Sequence, residues 1–223
     1  MNSEGKRHAL VIGASRGLGL ALVKELDRRG WQVTATIRSG GGDLPEVAVE
    51  TLEMTSAEQL AALRGRLGGA RFDLLFVNAA IDRGDLPIDL VPTAMFTEVM
   101  VTNALSPLRV LAALRDLVVP GGTVAVMSSE QGSISRNTEG GYELYKASKA
   151  ALNQLMRSYA TRHDGDGHTK LLIDPGHNRT ELGGPGAELE PADSMREVAD
   201  VLETQAGAPG LQFLDRHGVT VPW

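Results

Sequence analysis

His8-Ala-Leu-Val-Ile12-Gly13-Ala-Ser-Arg-Gly17-Leu-Gly19, followed by Leu20-Ala-Leu-Val-Lys-Glu-Leu-Asp-Arg-Arg29-Gly30, is the stretch that decides the fold. Residues 8–12 are a short apolar run stopped by glycine, which predicts a buried strand. Residues 20–29 carry a helical pattern, and Gly30 stands where a helix C-cap needs it. Strand, glycine turn and helix in that order suit a dinucleotide. The glycines allow a tight turn and let the backbone approach phosphate, while the helix N-terminus offers unpaired N–H groups and the positive end of its dipole.

Outward from this unit the pattern repeats. Gln32–Ile37 predicts a second strand ending at Arg38, and Ser39–Gly42 a turn. Val47–Leu52 predicts a third strand, with Ser56 as N-cap of a helix over 57–67. Phe72–Val77 runs into Asn78-Ala79-Ala80. A long helix is expected over 93–117, carrying Asn103 and kinked at Pro107. Thr123–Met127, Lys170–Ile173 and Leu211–Leu214 complete the strands, with a helix near 194–205 before the last. Strands alternating with helices, without a linker, indicate one open parallel sheet covered on both faces. Ligands of such sheets bind at the carboxyl ends of the strands. Glycines 13–19, Arg38, Asn78, Ser129 and Gly176 all fall there.

At the end of the second strand of dinucleotide folds an acidic residue holds a ribose 2′-hydroxyl, whereas arginine accommodates a 2′-phosphate. Arg38 fits the second case, and Arg16 is placed to close on the same phosphate, so NADP is expected over NAD.

Composition narrows the chemistry. A net charge of −6 without a dense Lys/Arg run argues against a nucleic-acid surface. With no cysteine, disulfides, thiol nucleophiles and cysteine zinc sites are excluded. The five histidines (8, 163, 168, 177, 217) lack ligand spacing, so no metal is expected. No apolar stretch reaches membrane-span length and residues 1–8 are polar, so a cytoplasmic location is expected.

Tyr142-Glu-Leu-Tyr145-Lys-Ala-Ser-Lys149 holds two overlapping Tyr-x-x-x-Lys pairs, Tyr142/Lys146 and Tyr145/Lys149. On a helix each pair stacks a phenol beside an ammonium, an arrangement that lowers a tyrosine pKa and suits proton exchange with a carbonyl or alcohol oxygen. The face of Tyr145 continues through Leu152 and Met156, a buried stripe; that of Tyr142 follows Gly140-Gly141 at a wet helix start. Tyr145/Lys149 is therefore the expected pair.

With these motifs the chain resembles the short-chain dehydrogenase/reductase family over nearly its whole length. The family's Gly-x-x-x-Gly-x-Gly stands at 13–19, its Asn-Ala-Gly element at Asn78-Ala79-Ala80, its mid-helix Asn at Asn103, and its catalytic Ser at Ser129, with Ser133 a weaker candidate. Its Tyr-x-x-x-Lys is Tyr145–Lys149, and its Pro-Gly…Thr is Pro175-Gly176…Thr180. Gly132-Ser-Ile134, Thr138–Tyr142, Tyr145–Asn153 and the ending Phe213–Trp223 look like the C-factor/sniffer-type carbonyl reductases.

The resemblance implies a single Rossmann-type domain over 1–223, a seven-stranded, mostly parallel, doubly wound α/β sheet with helices on both faces. It implies a mobile substrate segment at about 177–197 and NADPH-dependent reduction of an aldehyde or ketone, with a homodimer or homotetramer as the expected assembly. Cofactor contacts are implied for Gly13, Ser15, Arg16, Gly17, Leu18 and Gly19 in the turn, and for Arg38, Glu53 and Met54 after the second and third strands. Asn78, Ala79, Ala80, Tyr145, Lys149, Pro175, Gly176, Asn178 and Thr180 complete the cofactor set. Tyr145 is the implied proton donor, Lys149 lowers its pKa and binds the nicotinamide ribose, Ser129 holds the substrate oxygen, and Asn103 holds a water leading to Lys149. Ile12, Ala80, Glu53 and Asn178 depart from the family pattern without removing a catalytic group. The competing reading is a dinucleotide-bound regulatory or signalling protein with little turnover.

Overall fold

The structure, a computed structural model, describes residues 5–40 and 43–223. Part of the turn expected at 39–42 lies outside those residues. The elements are β1 (His8–Ile12), α1 (Gly17–Arg28), β2 (Gln32–Ile37), β3 (Ala48–Thr51), α2 (Ala57–Leu67) and β4 (Phe72–Val77). They continue with α3 (Thr93–Met100), α4 (Ser106–Leu114), β5 (Val118–Met127), α5 (Glu143–Arg162), β6 (Thr169–Asp174), α6 (Pro191–Thr204) and β7 (Leu211–Asp215).

The seven strands form one sheet in the order β3-β2-β1-β4-β5-β6-β7, every pairing parallel. Successive strand residues face opposite sides, and both sides are buried, which is why the central strands read as continuous apolar runs. Leu10, Ile12, Leu75, Val77, Val124, Val126 and Leu172 pack against Leu63, Leu111, Leu152 and Met156 on one face. Ala9, Val11, Leu74, Phe76, Ala125, Met127, Leu171 and Ile173 pack against Leu22, Leu26, Met195, Val198 and Leu202 on the other. The chain winds outward from β1 to β3, then restarts at β4 on the other side of β1. This switch in strand order opens a crevice above β1 and β4, where the glycine turn and Asn78 leave the sheet.

Two stretches differ from expectation. The helix expected over 93–117 is interrupted by a wide turn at Val101–Leu105, where the Ser106 N–H reaches back five residues to Val101 O. Pro107 has no N–H to return to Asn103 four residues back, so the ladder changes register there rather than bending smoothly. Strand β5 starts at Val118, earlier than Thr123, because a bulge between Phe72 and Leu74 in the pairing with β4 absorbs Pro120-Gly121-Gly122. Helix α2 begins as expected, the Ser56 hydroxyl accepting from Gln59 N.

Candidate active site

The glycine turn is a cradle with no room for side chains. Gly13 has φ 85°, and a Cβ there would lie 2.7 Å from the Cβ of Ala79. A Cβ on Gly19 would collide with Gly13 O and stand 2.7 Å from Asn78 Nδ2. Gly17 has φ 55° and faces Thr180, whose Cγ2 would be 3.3 Å from an added Cβ. Asn78 ties the cradle to β4: its backbone N–H donates to Ile12 O and its Nδ2 to Gly13 O, each at 3.0 Å. Thr36 anchors the other side, accepting from Gly13 N at 3.0 Å. Helix α1 has no side-chain cap and no acid in its first turn, so its N–H groups face no competing anion. Ser15 lies in the same turn and Leu18 in the first turn of α1. This open, side-chain-free cradle fits a pyrophosphate.

Arg16, in the glycine turn, and Arg38, after β2, face different carboxylates. Arg16 is ion-paired with Glu181, whereas Arg38, 65% exposed, lies 3.9 Å from Glu53. Glu53 also accepts from Thr55 N and Oγ1 at 3.2 and 3.0 Å, and Met54 beside it is buried. Both guanidiniums remain exposed, but the structure does not bring them onto one partner.

Helix α5 separates the two tyrosine–lysine pairs. Tyr142, half exposed, is the residue before α5, at φ 48°, and Lys146 donates to Asn137 Oδ1, Glu139 O and Gly140 O. Tyr145 and Lys149 are buried above Leu152 and Met156, with the ammonium 5.7 Å from the phenol ring centroid. Lys149 Nζ donates to Met127 O at the end of β5, at 3.0 Å. Ser129, two residues on, stands against the Tyr145 hydroxyl. The neighbouring serines point elsewhere: Ser128 donates to Asn153 Oδ1 at 2.6 Å, and Ser133 is 3.2 Å from Ser135 Oγ.

One electrostatic expectation is reversed. Burial pushes the Tyr145 phenol up from its ordinary value, reinforced by Asp82 and Asp174, while the Ser129 hydrogen bond acts in the opposite direction. Burial also lowers Lys149 to about 8, opposed by Asp174. Loss of solvent acts on both groups, and it outweighs their mutual attraction because the ammonium is turned to Met127 O rather than to the phenolic oxygen. In this state Tyr145 is held as a phenol.

Asn103 is buried in the wide turn. Its Oδ1 accepts from Ile81 N at 2.8 Å, and its Nδ2 donates to Ile81 O at 2.7 Å and Ser148 Oγ at 3.0 Å. Both amide hydrogens are thus engaged in clamping the loop after β4 to α5. Pro175 and Gly176 follow β6, with Gly176 at φ 73°. Asn178 is buried and donates to Pro175 O and Gly176 O at 2.8 and 2.9 Å, leaving its Oδ1 without a partner. Such an atom suits a ligand amide. The segment expected to be mobile carries its own bonds: Arg179 N donates to Leu189 O at 2.8 Å, and the Arg179 guanidinium pairs with Glu190 at 2.7 Å. Its last part, from Pro191, is helix α6. Ala80 lies on the loop entering the site.

Sequence reasoning missed Asp174, buried at the end of β6 and accepting from Glu130 N at 3.0 Å. An acid closing an otherwise apolar strand, directly before Pro-Gly, was the available signal. Ser148, which binds Asn103, and Asn153, which holds Ser128, are two further supports from α5 that the helix pattern does not distinguish from surface polars. Among the described residues no group of histidines and carboxylates could hold a metal, and no helix is long and apolar enough to cross a membrane.

The short chain dehydrogenase family profile matches residues 7–188. The C-signal protein of Myxococcus xanthus is 35% identical over 153 residues, covering 68% of this chain and 92% of that protein. A structure from Burkholderia multivorans with bound NADP superposes with a TM-score of 0.95 at 45% identity, covering 98% of this chain and 100% of that one. A carbonyl reductase from Pseudomonas aeruginosa PAO1 in complex with NADP gives a TM-score of 0.91 at 33% identity, over 98% and 100% of the two chains.

Proposed function

Because this chain belongs to the short chain dehydrogenase family, we propose that it is an NADPH-dependent carbonyl reductase acting on an aldehyde or ketone. One observation carries this reading: a buried phenol, its lysine and a serine hydroxyl converge at the strand ends beside a glycine cradle free of side chains. The NADP-bound structures from B. multivorans and P. aeruginosa support the choice of cofactor, as does exposed Arg38.

The nicotinamide supplies the hydride when bound. The glycine turn and the start of α1 would hold its pyrophosphate, Arg38 a 2′-phosphate, and Asn178 with the 175–180 turn the carboxamide end. Ser129 donates a hydrogen bond to the substrate oxygen, stabilising the negative charge that develops there. Tyr145, held as a phenol by burial, passes its proton to that oxygen. Lys149 then stabilises the phenolate left behind. Residues 82–92, 130–141 and 177–197 form the substrate side. We place the protein in the cytoplasm, as a homodimer or homotetramer through the stretches 93–117 and 142–162, where Leu105 and Leu155 are exposed.

The complete Ser129/Tyr145/Lys149 set speaks against a regulator without turnover. The test is oxidation of NADPH, followed by absorbance, across a panel of aldehydes and ketones. Turnover with at least one is expected; tight NADPH binding with no turnover on any would favour the regulator.

A further inference from the structure

The buried site contains an acid that the proposed reaction does not use. Asp174 closes β6, whose Ile173 is in register with Met127, the residue whose carbonyl accepts from Lys149 Nζ at 3.0 Å. Across the same strand pair Ser128 N donates to Ile173 O at 2.7 Å, and Glu130 N donates to Asp174 Oδ1 at 3.0 Å. The carboxylate therefore grips the backbone on the far side of Ser129, one strand away from the lysine. The Glu130 N–H favours the ionised form, against the burial that pushes this carboxyl up from its ordinary value.

The charged groups around Asp174 come from four elements. Glu130, in the turn after β5, and Asp215, at the end of β7, act on Asp174, which in turn acts on Lys149 and Tyr145 of α5, while Asp82, after β4, acts on Tyr145. Glu130 is paired with Arg136 at 3.2 Å, and Arg216, which flanks Gly176, with Glu197 at 2.6 Å. Lys149 has no carboxylate within ion-pair distance among the described residues, and Asp174 is the acid that acts on it from within the buried site. Charges separated from water interact more strongly than exposed ones.

We propose that Asp174 is a positioning residue: its carboxylate fixes the Ser129–Glu130 turn through the backbone and is the counter-charge that keeps Lys149 an ammonium. This rests on the reading of Lys149 and Tyr145 given above, but its test does not require turnover. The chain has five lysines, so selective ¹³Cε labelling and NMR titration resolve them, with Lys149 identified by its loss in Lys149→Met. Asp174→Asn retains an acceptor for Glu130 N and removes the charge. Lys149 is expected to titrate roughly one unit lower in this variant than in the parent. The alkaline limb of kcat/KM for carbonyl reduction should move to lower pH with it. An unchanged Lys149 titration would overturn the proposal, whatever the activity. If Asp174→Asn does not fold, Lys149→Met reports the reciprocal coupling: the Asp174 carboxyl carbon should titrate higher than in the parent, and an unmoved value would overturn the idea equally. A parent protein with no turnover on any carbonyl sinks the proposed function and leaves these titrations to decide on Asp174.

Discussion

Tyr145 and Tyr142 differ by three residues and by nearly everything else. One is buried against Ser129 and Lys149; the other sits in solvent with its lysine bound to loop carbonyls. Tyr145→Phe removes only the transferable proton, so kcat should fall by ~10²–10⁴-fold while NADPH affinity, measured by calorimetric titration, is kept. Tyr142→Phe should leave kcat unchanged, and a loss there instead would move the acid to the outer pair. Arg38 supports a different inference. Its guanidinium is exposed with one loosely placed carboxylate, free to take a doubly charged phosphate. Arg38→Asp should lower the NADPH/NADH ratio of kcat/KM by roughly 10–100-fold, the value of a charge-assisted contact and its replacement by repulsion. An unchanged ratio would remove Arg38 from the phosphate site.

The wide turn at Val101–Leu105 shows how an element can be built to present one side chain. Asn103 satisfies both backbone groups of Ile81 at once. Asn103→Ala strands a buried N–H and C=O, so unfolding free energy from denaturant titration should fall by about 2–4 kcal/mol. A loss below the error of that titration would mean the loop after β4 is held elsewhere. This turn marks the limit of what the sequence discloses. Pro107 signals a break in a long helix, but whether the ladder bends, ends or widens depends on what Asn103 meets across the gap. The central strands were legible because both faces of the sheet are buried and their residues are apolar throughout. Strand β3, exposed at the edge, and the bulged start of β5 have no such constraint and were misplaced at their ends. The choice between tyrosine pairs was legible from the Leu152/Met156 stripe. The sign of the Tyr145 shift was not, because burial is set by the whole fold and outweighs the adjacent amine.

At the scale of the molecule, the site opposes the core that contains it. Lys149 is buried with its pKa lowered from 10.5 to about 8, so the folded state holds its proton less firmly than the unfolded chain. Between pH 8 and 10.5 the unfolded state binds more protons, and stability from this residue rises with pH across that window. Below pH 8 both states are protonated and the full cost of burying the charge is present. Lys149→Met keeps the apolar stem and removes the charge, at the expense of an unpaired Met127 O. At pH 7 the variant should therefore be more stable than the parent by about 2–3 kcal/mol, while turnover is lost. Denaturant titrations of both proteins at rising pH test this directly. The gap should narrow steadily above pH 8 and close near 10.5. A gap independent of pH would show that the ammonium is fully compensated in the folded state, whereas a lysine already neutral at pH 7 would make the gap narrow from well below pH 8. Either result would leave it without the free charge that a phenolate needs, because an amine that costs the fold nothing has nothing left with which to stabilise the anion formed at Tyr145.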